Sequence, residues 1–229
     1  MIKNLVSVPR SGQHLIERSL NEYHRIMNLP YSYCEFYSQP CGCKHRPCMS
    51  NINSFQKNHD WEVTNGIEYG IKIKSGEKYL FLYRNCILKQ LDAAFRLYCC
   101  EKKITKSSNQ IIDYNNNYIR NLFRKYVNTY SKYYKNIYKK WLTDKVDNIL
   151  CIEYTVLILN YEIMFKKILN FFEIPVNEEV VKKVEQLVKP KFDEKISIKD
   201  KYFSELKYEV INILNSNKIK KNSYSMIFT

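Results

Sequence analysis

The first 28 residues constrain the fold more than any other stretch. Leu5-Val6-Ser7-Val8 is a short apolar run stopped by Pro9, which reads as a buried strand. Arg10-Ser11-Gly12 follows as a tight turn. Leu15, Ile16, Leu20, Tyr23, Ile26 and Met27 then recur at the spacing of a helix with one buried face. A strand feeding a glycine turn at a helix start is a ready anion site. The first helical N–H groups have no partner inside the helix, and the helix dipole adds positive charge there. Gly12 lets the backbone approach an anion closely, Ser11 and His14 can donate from their side chains, and Arg10 brings a planar charged fork. The same pattern also serves an ordinary strand–turn–helix junction. The nucleotide-kinase loop, with Gly, four residues, then Gly-Lys-Ser or Gly-Lys-Thr, is absent.

Further along, strands and helices alternate. An extended segment ends near Phe55-Gln56-Lys57, and Tyr79-Leu80-Phe81-Leu82-Tyr83 is another, followed by Ile87, Leu88, Leu91, Ala94, Phe95 and Tyr98 at helical spacing. From about 112 to 142 paired apolar positions predict one long amphipathic helix or two in succession. Ile149-Leu150-Cys151-Ile152 is a fourth strand, with one helix after it running to Phe172. Helices are also expected from Val180 and over about 203–214, while 31–50, with four cysteines and two prolines, reads as an irregular insert. Alternation of this kind implies an α/β fold, a parallel sheet flanked by helices, in one domain over 1–229. Only 5 Gly and 6 Pro punctuate 229 residues, which argues against a many-turned β-sandwich.

The formal charge of +14 suits an anionic partner such as a nucleotide, a phosphorylated or sulfated ligand, or nucleic acid. A lysine-rich codon bias would give the same excess. No apolar run approaches the ~18 residues that span a bilayer, and the N-terminus does not read as a secretory signal. The expectation is a cytoplasmic protein whose 8 cysteines are mostly thiols.

Four segments, in order, resemble those of the sulfotransferases that use 3′-phosphoadenosine 5′-phosphosulfate (PAPS). Pro9-Arg10-Ser11-Gly12 is similar to their 5′-phosphosulfate loop, with Gln13 and His14 in place of two hydroxyl residues. Lys57-Asn58-His59 resembles the segment carrying the catalytic base. Tyr79 to Asn85 resembles the strand whose terminal arginine, here Arg84, holds the 3′-phosphate. Glu153-Tyr154, and the helix running into Phe171-Phe172-Glu173-Ile174-Pro175, complete the likeness over about residues 4–190. The resemblance implies PAPS as co-substrate, PAP as product, and a small-molecule or glycan acceptor, with no nucleic acid and no membrane span. It implies catalytic roles for His59, Arg10 and Lys57. Donor-binding positions would be Arg10, Ser11, Gly12, Gln13, His14, Leu15, Arg84, Asp92 and Tyr154. His14, on the loop, and the more distant Glu35 are alternative bases.

The pattern also departs from the family. Asp92 stands eight residues after Arg84, where a serine is usual, so that Gln90 or Arg96 becomes a candidate for the phosphate instead. The family's glycine-rich C-terminal segment is missing from 191–229, which places the chain nearer the shorter microbial and carbohydrate-type members. Cys34, Cys41, Cys43, His45 and Cys48 form a cluster without paired knuckles, so no metal is assigned. Three rival readings stay open: a P-loop-like kinase, a catalytically silent PAP-binding relative, and a basic nucleic-acid-binding protein built on Phe123-Arg124-Lys125-Tyr126 and Tyr133-Tyr134-Lys135. Neither the acceptor nor the oligomeric state is legible.

Overall fold

The computed structural model describes residues 2–34, 55–60, 71–143, 146–188, 206–208 and 210–212. Two compact units result: Met1–Tyr83 with Lys140–Phe192, and Arg84–Lys139 with Asp193–Thr229.

The first unit is an α/β layer structure. Strands β1 (Ile2–Ser7), β2 (Tyr33–Cys34), β3 (Phe55–Asn58), β4 (Glu77–Tyr83) and β5 (Ile149–Glu153) form one sheet in the order β2-β3-β1-β4-β5. Every pairing is parallel, with Leu5 opposite Lys57 and Leu80, and Tyr83 opposite Glu153. Because side chains alternate across a strand, each strand feeds two faces. Leu5, Phe55, Leu80, Leu82 and Ile152 face helices α1 (Gln13–Ile26), α4 (Tyr154–Leu159), α5 (Tyr161–Phe171) and α6 (Glu178–Val188). Each such side chain contributes about 1.5–3 kcal/mol by leaving water. On the other face, Tyr79 and Phe81 pack against Trp141, with ring centroids 5.5 and 5.8 Å apart.

Polar clamps fix the helices. The Tyr23 hydroxyl donates to the Pro175 carbonyl and accepts from the Asn177 N–H, both at 2.7 Å. Tyr161 donates to Ser19 Oγ at 2.6 Å, and Ser19 donates to the Leu15 carbonyl.

The second unit contains α2 (Ile87–Glu101) and the greater part of α3 (Asn117–Thr143); the last turn of α3, with Lys140 and Trp141, belongs to the first unit. Phe95, Tyr114, Phe123 and Tyr126 form an aromatic core, with Phe95 5.1 Å from Phe123 and Tyr114 5.2 Å from it. Phe123 and Tyr126, read from sequence as members of a nucleic-acid motif, are thus buried packing residues.

Three expectations are corrected. The stretch after β5 is two helices, because Asn160 (φ −123°, ψ 48°) interrupts it. The long helix starts at Asn117, not near 112, although Ile112 and Tyr114 are still buried. The insert contributes the short edge strand β2 before its cysteine-rich part. Cys41, Cys43, His45, Cys48 and Glu35 lie outside the described residues. So does most of 191–229, of which 206–208 and 210–212 are helical.

His24, on α1, is buried between Tyr31 and Phe55, with ring centroids 5.3 and 5.7 Å away. Burial pushes its imidazole down to about 4, and Lys3 adds to the effect. A base with a lowered folded-state pKa binds fewer protons folded than unfolded, so the fold loses stability as pH falls through the interval from 6.5 to about 4. At roughly 1.4 kcal/mol per unit, the loss reaches about 2–3 kcal/mol. Urea midpoints of wild type and His24→Phe, followed from pH 7 to 4, should diverge, with the variant the flatter. Parallel curves would exclude His24 as the cause.

Candidate functional site

β1 lies between β3 and β4, so the chain leaves it toward one side of the sheet and returns on the other. Open α/β sheets bind ligands at the carboxyl end of such a switch point. Here that end is the segment Val8–Gly12. Its backbone turns sharply: Arg10 has φ 67° and Gly12 φ 90°, both left-handed, and the Ser11 N–H donates to the Val8 carbonyl at 3.2 Å. A non-glycine residue in that region is strained, and such outliers concentrate at binding sites.

Gly12 is the N-cap of α1. It brings no side-chain cap, and the first turn carries no acidic residue, so the positive end of the helix is uncompensated. Tyr154, the first residue of α4 directly after β5, lies against Gly12. A Cβ on Gly12 would fall 2.1 Å from its ring, so glycine is required here for space as well as for φ.

Cations gather at the same place. Lys57 on β3 is buried, with Nζ 3.5 Å from His14 Nε2. Burial lowers the Lys57 ammonium, with Glu17 opposing the shift. Burial also lowers His14, and Lys57, Arg18 and Arg10 push it further down. Glu17 is shifted up by its own burial, against Arg18 and Lys57. An imidazole depressed by three neighbouring cations marks a place that gains when an anion arrives.

His59 stands one residue past β3. Its Nδ1 is 2.9 Å from the Ser7 carbonyl and 3.4 Å from Ser7 Oγ. A carbonyl only accepts, so Nδ1 carries the proton and the neutral ring has its lone pair on Nε2. The neighbouring Asp60 does not form the surface ion pair with His59 that adjacency suggests. It is buried, and its oxygens accept from Lys140 Nζ and Trp141 Nε1 at 2.7 Å and from the Ile71 N–H at 2.5 Å.

Gln13 and Leu15, expected at the anion, point elsewhere with their side chains. Leu15 is in the hydrophobic core. Gln13 is buried, donates from Nε2 to the Leu5 carbonyl at 2.5 Å and accepts from the Ser7 hydroxyl at 2.6 Å. The Leu15 N–H, too, is already donated, to the Gly12 carbonyl at 2.9 Å. Ser11 is fully buried.

Arg84 follows β4 and begins the second unit; its carbonyl accepts from the Tyr138 hydroxyl at 3.0 Å. Asp92 in that unit is buried, accepts from Tyr114 at 2.7 Å and pairs with Arg96 at 3.1 Å. Burial raises its carboxyl, while Arg96, Tyr114 and Arg84 hold it down. Arg96 is therefore engaged with Asp92, and Gln90 is fully buried.

The sequence reading missed Ser7 and Glu17. Ser7 is a polar residue within the apolar run Leu5-Val6-Ser7-Val8, the one local signal for it. Glu17 lies one turn after His14, a spacing that places them on one helix face. Among the described residues, no cluster of three His, Cys, Asp or Glu side chains could hold a metal ion. Nor is any helix among them long and apolar enough to cross a membrane.

No family model matches the sequence, and no curated protein matches it. The fold is similar to that of mouse sulfotransferase SULT7A1 complexed with PAP, over 100% of this chain and 71% of that one, with a TM-score of 0.54 and 16% identity. The sulfotransferase domain from the curacin biosynthetic pathway aligns over 99% of this chain and 94% of its own (TM-score 0.45, 13% identity). The sulfotransferase domain from the Synechococcus PCC 7002 olefin synthase aligns over 96% and 94% (TM-score 0.40, 12% identity). At such identity the likeness to the mouse enzyme concerns the fold: the chain has a sulfotransferase fold.

Proposed function

We propose that the chain is a sulfotransferase that moves a sulfuryl group from PAPS to a hydroxyl or amine acceptor, of the carbohydrate or small-molecule class. The observation that carries this reading is the convergence of Arg10, His14 and Lys57 on the uncapped N-terminus of α1, with the His59 imidazole at the adjoining strand end. The PAP bound by the mouse protein of like fold supports the choice of nucleotide.

In this reading the backbone over 11–14 holds the donor's 5′-phosphate. Tyr154, packed over Gly12, borders the adenine side. Arg84 is assigned to the 3′-phosphate by resemblance; Asp92 serves Arg96 and Tyr114 rather than the nucleotide. During transfer a bond forms between the acceptor oxygen and sulfur as the sulfur–oxygen bond to the 5′-phosphate breaks. The acceptor's proton goes to His59 Nε2, and the negative charge left on the phosphate oxygen is met by Arg10 and Lys57. Catalysis then rests on alignment and on preset positive charge.

Calorimetric titration with PAP, ATP and an oligonucleotide tests the proposal. PAP should bind, and its binding should tighten as pH falls from 8 to 6. A bound anion raises the depressed pKa of the His14 imidazole, so binding takes up a proton as the pH falls toward 6. Tight ATP binding with no PAP binding would remove the sulfotransferase reading in favour of a kinase-like one.

A further inference from the structure

Gln13 and Ser7 have fixed polarity at both ends of a short chain of hydrogen bonds. At one end is the Leu5 backbone carbonyl, which can only accept. Gln13 therefore presents Nε2 to it, at 2.5 Å, and its Oε1 to Ser7. Oε1 can only accept, so the Ser7 hydroxyl donates to it, at 2.6 Å. With its proton spent, Ser7 Oγ can face His59 Nδ1, 3.4 Å away, only as an acceptor, and the Ser7 carbonyl at 2.9 Å is an acceptor by nature. Both groups then require a proton on Nδ1. Gln13 and Ser7 are buried, which keeps water from reversing the order.

We propose that Gln13 is a positioning residue: acting through Ser7, it locks the neutral His59 imidazole in the tautomer that carries its proton on Nδ1 and its lone pair on Nε2, the atom read as the base. The inference rests on the reading of His59 as that base. It gives the residue at the start of α1 a role distinct from anion binding, coupling the phosphate loop to the proton acceptor. Without Gln13 the Ser7 hydroxyl has an acceptor within reach in Nδ1 itself. Donation to Nδ1 would place the ring proton on Nε2 and remove the base.

The test is NMR of ¹⁵N-histidine-labelled protein, without donor, at a pH above the imidazole range. Wild type should show the His59 proton on Nδ1. Gln13→Leu should shift the larger share to Nε2, and Gln13→Leu combined with Ser7→Ala should return it to Nδ1, since the competing hydroxyl is gone. In PAPS turnover, kcat of Gln13→Leu should fall about tenfold, as expected when most of the base is in the wrong tautomer, with KM for PAPS nearly unchanged. Gln13→Met, closer in length, replaces Gln13→Leu if the latter does not fold. A His59 tautomer that stays on Nδ1 in the single variants would overturn the proposal. A wild type that binds no PAP would sink the sulfotransferase reading and leave the tautomer result standing.

Discussion

Replacing His59 with alanine is expected to lower kcat for sulfuryl transfer by about 10²–10⁴, the usual contribution of a general base, while PAP affinity stays within about twofold. The two effects separate because of where the side chains stand. The contacts assigned to the donor come from the Arg10 and Lys57 cations and the His14 imidazole around the helix terminus. His59 is held from behind, through Nδ1, by the Ser7 carbonyl. Its removal leaves the loop backbone and the cations in place. Single-turnover measurements with PAPS, beside calorimetry with PAP, read the two quantities independently. Undiminished turnover would pass the base role to His14, which burial and neighbouring cations keep uncharged at neutral pH. A parallel loss of PAP binding would instead mark His59 as a donor contact.

The largest effect on stability is expected at the next residue. Asp60 is buried and takes up three donors, Lys140, Trp141 and the Ile71 backbone, in addition to the Lys140–Ile71 contact beside it. Asp60→Ala leaves the Lys140 ammonium and two N–H groups without that carboxylate, a loss of about 3–5 kcal/mol. For a chain of this size the melting temperature should drop by roughly 10 °C. Asp60→Asn tests charge apart from shape. Asparagine tolerates the left-handed φ of 48° found here, but its NH₂ must face one of the three donors. It should recover less than half the loss. A double-mutant cycle with Lys140→Met should show strong coupling, because removing both partners spares the uncompensated cation. Additive losses would mean that the ion pair is not what anchors the chain behind His59.

What the sequence determined by itself was local. Leu5 to Val8 against Pro9, followed by apolar residues at helical spacing, determined β1, the turn at Gly12 and α1, because a strand and a helix each expose their buried face as a period in the chain. The same logic located β3, β4, β5 and the helices after them, and it failed where one polar residue, Asn160, broke a helix without breaking the apolar pattern. Arg10, Lys57 and His59 were legible as candidates because a family's motif order resembles theirs. Tertiary structure alone decided their partners. The sheet order sets β3 beside β1, so Ser7 meets His59 across 52 positions. Asp60 meets Trp141 across 81. Gln13, which any reading of the loop would aim at an anion, turns inward because the Leu5 carbonyl and the Ser7 hydroxyl there need its amide. A buried polar group must find its complement wherever the fold brings one, and nothing in the residues beside it says where that is.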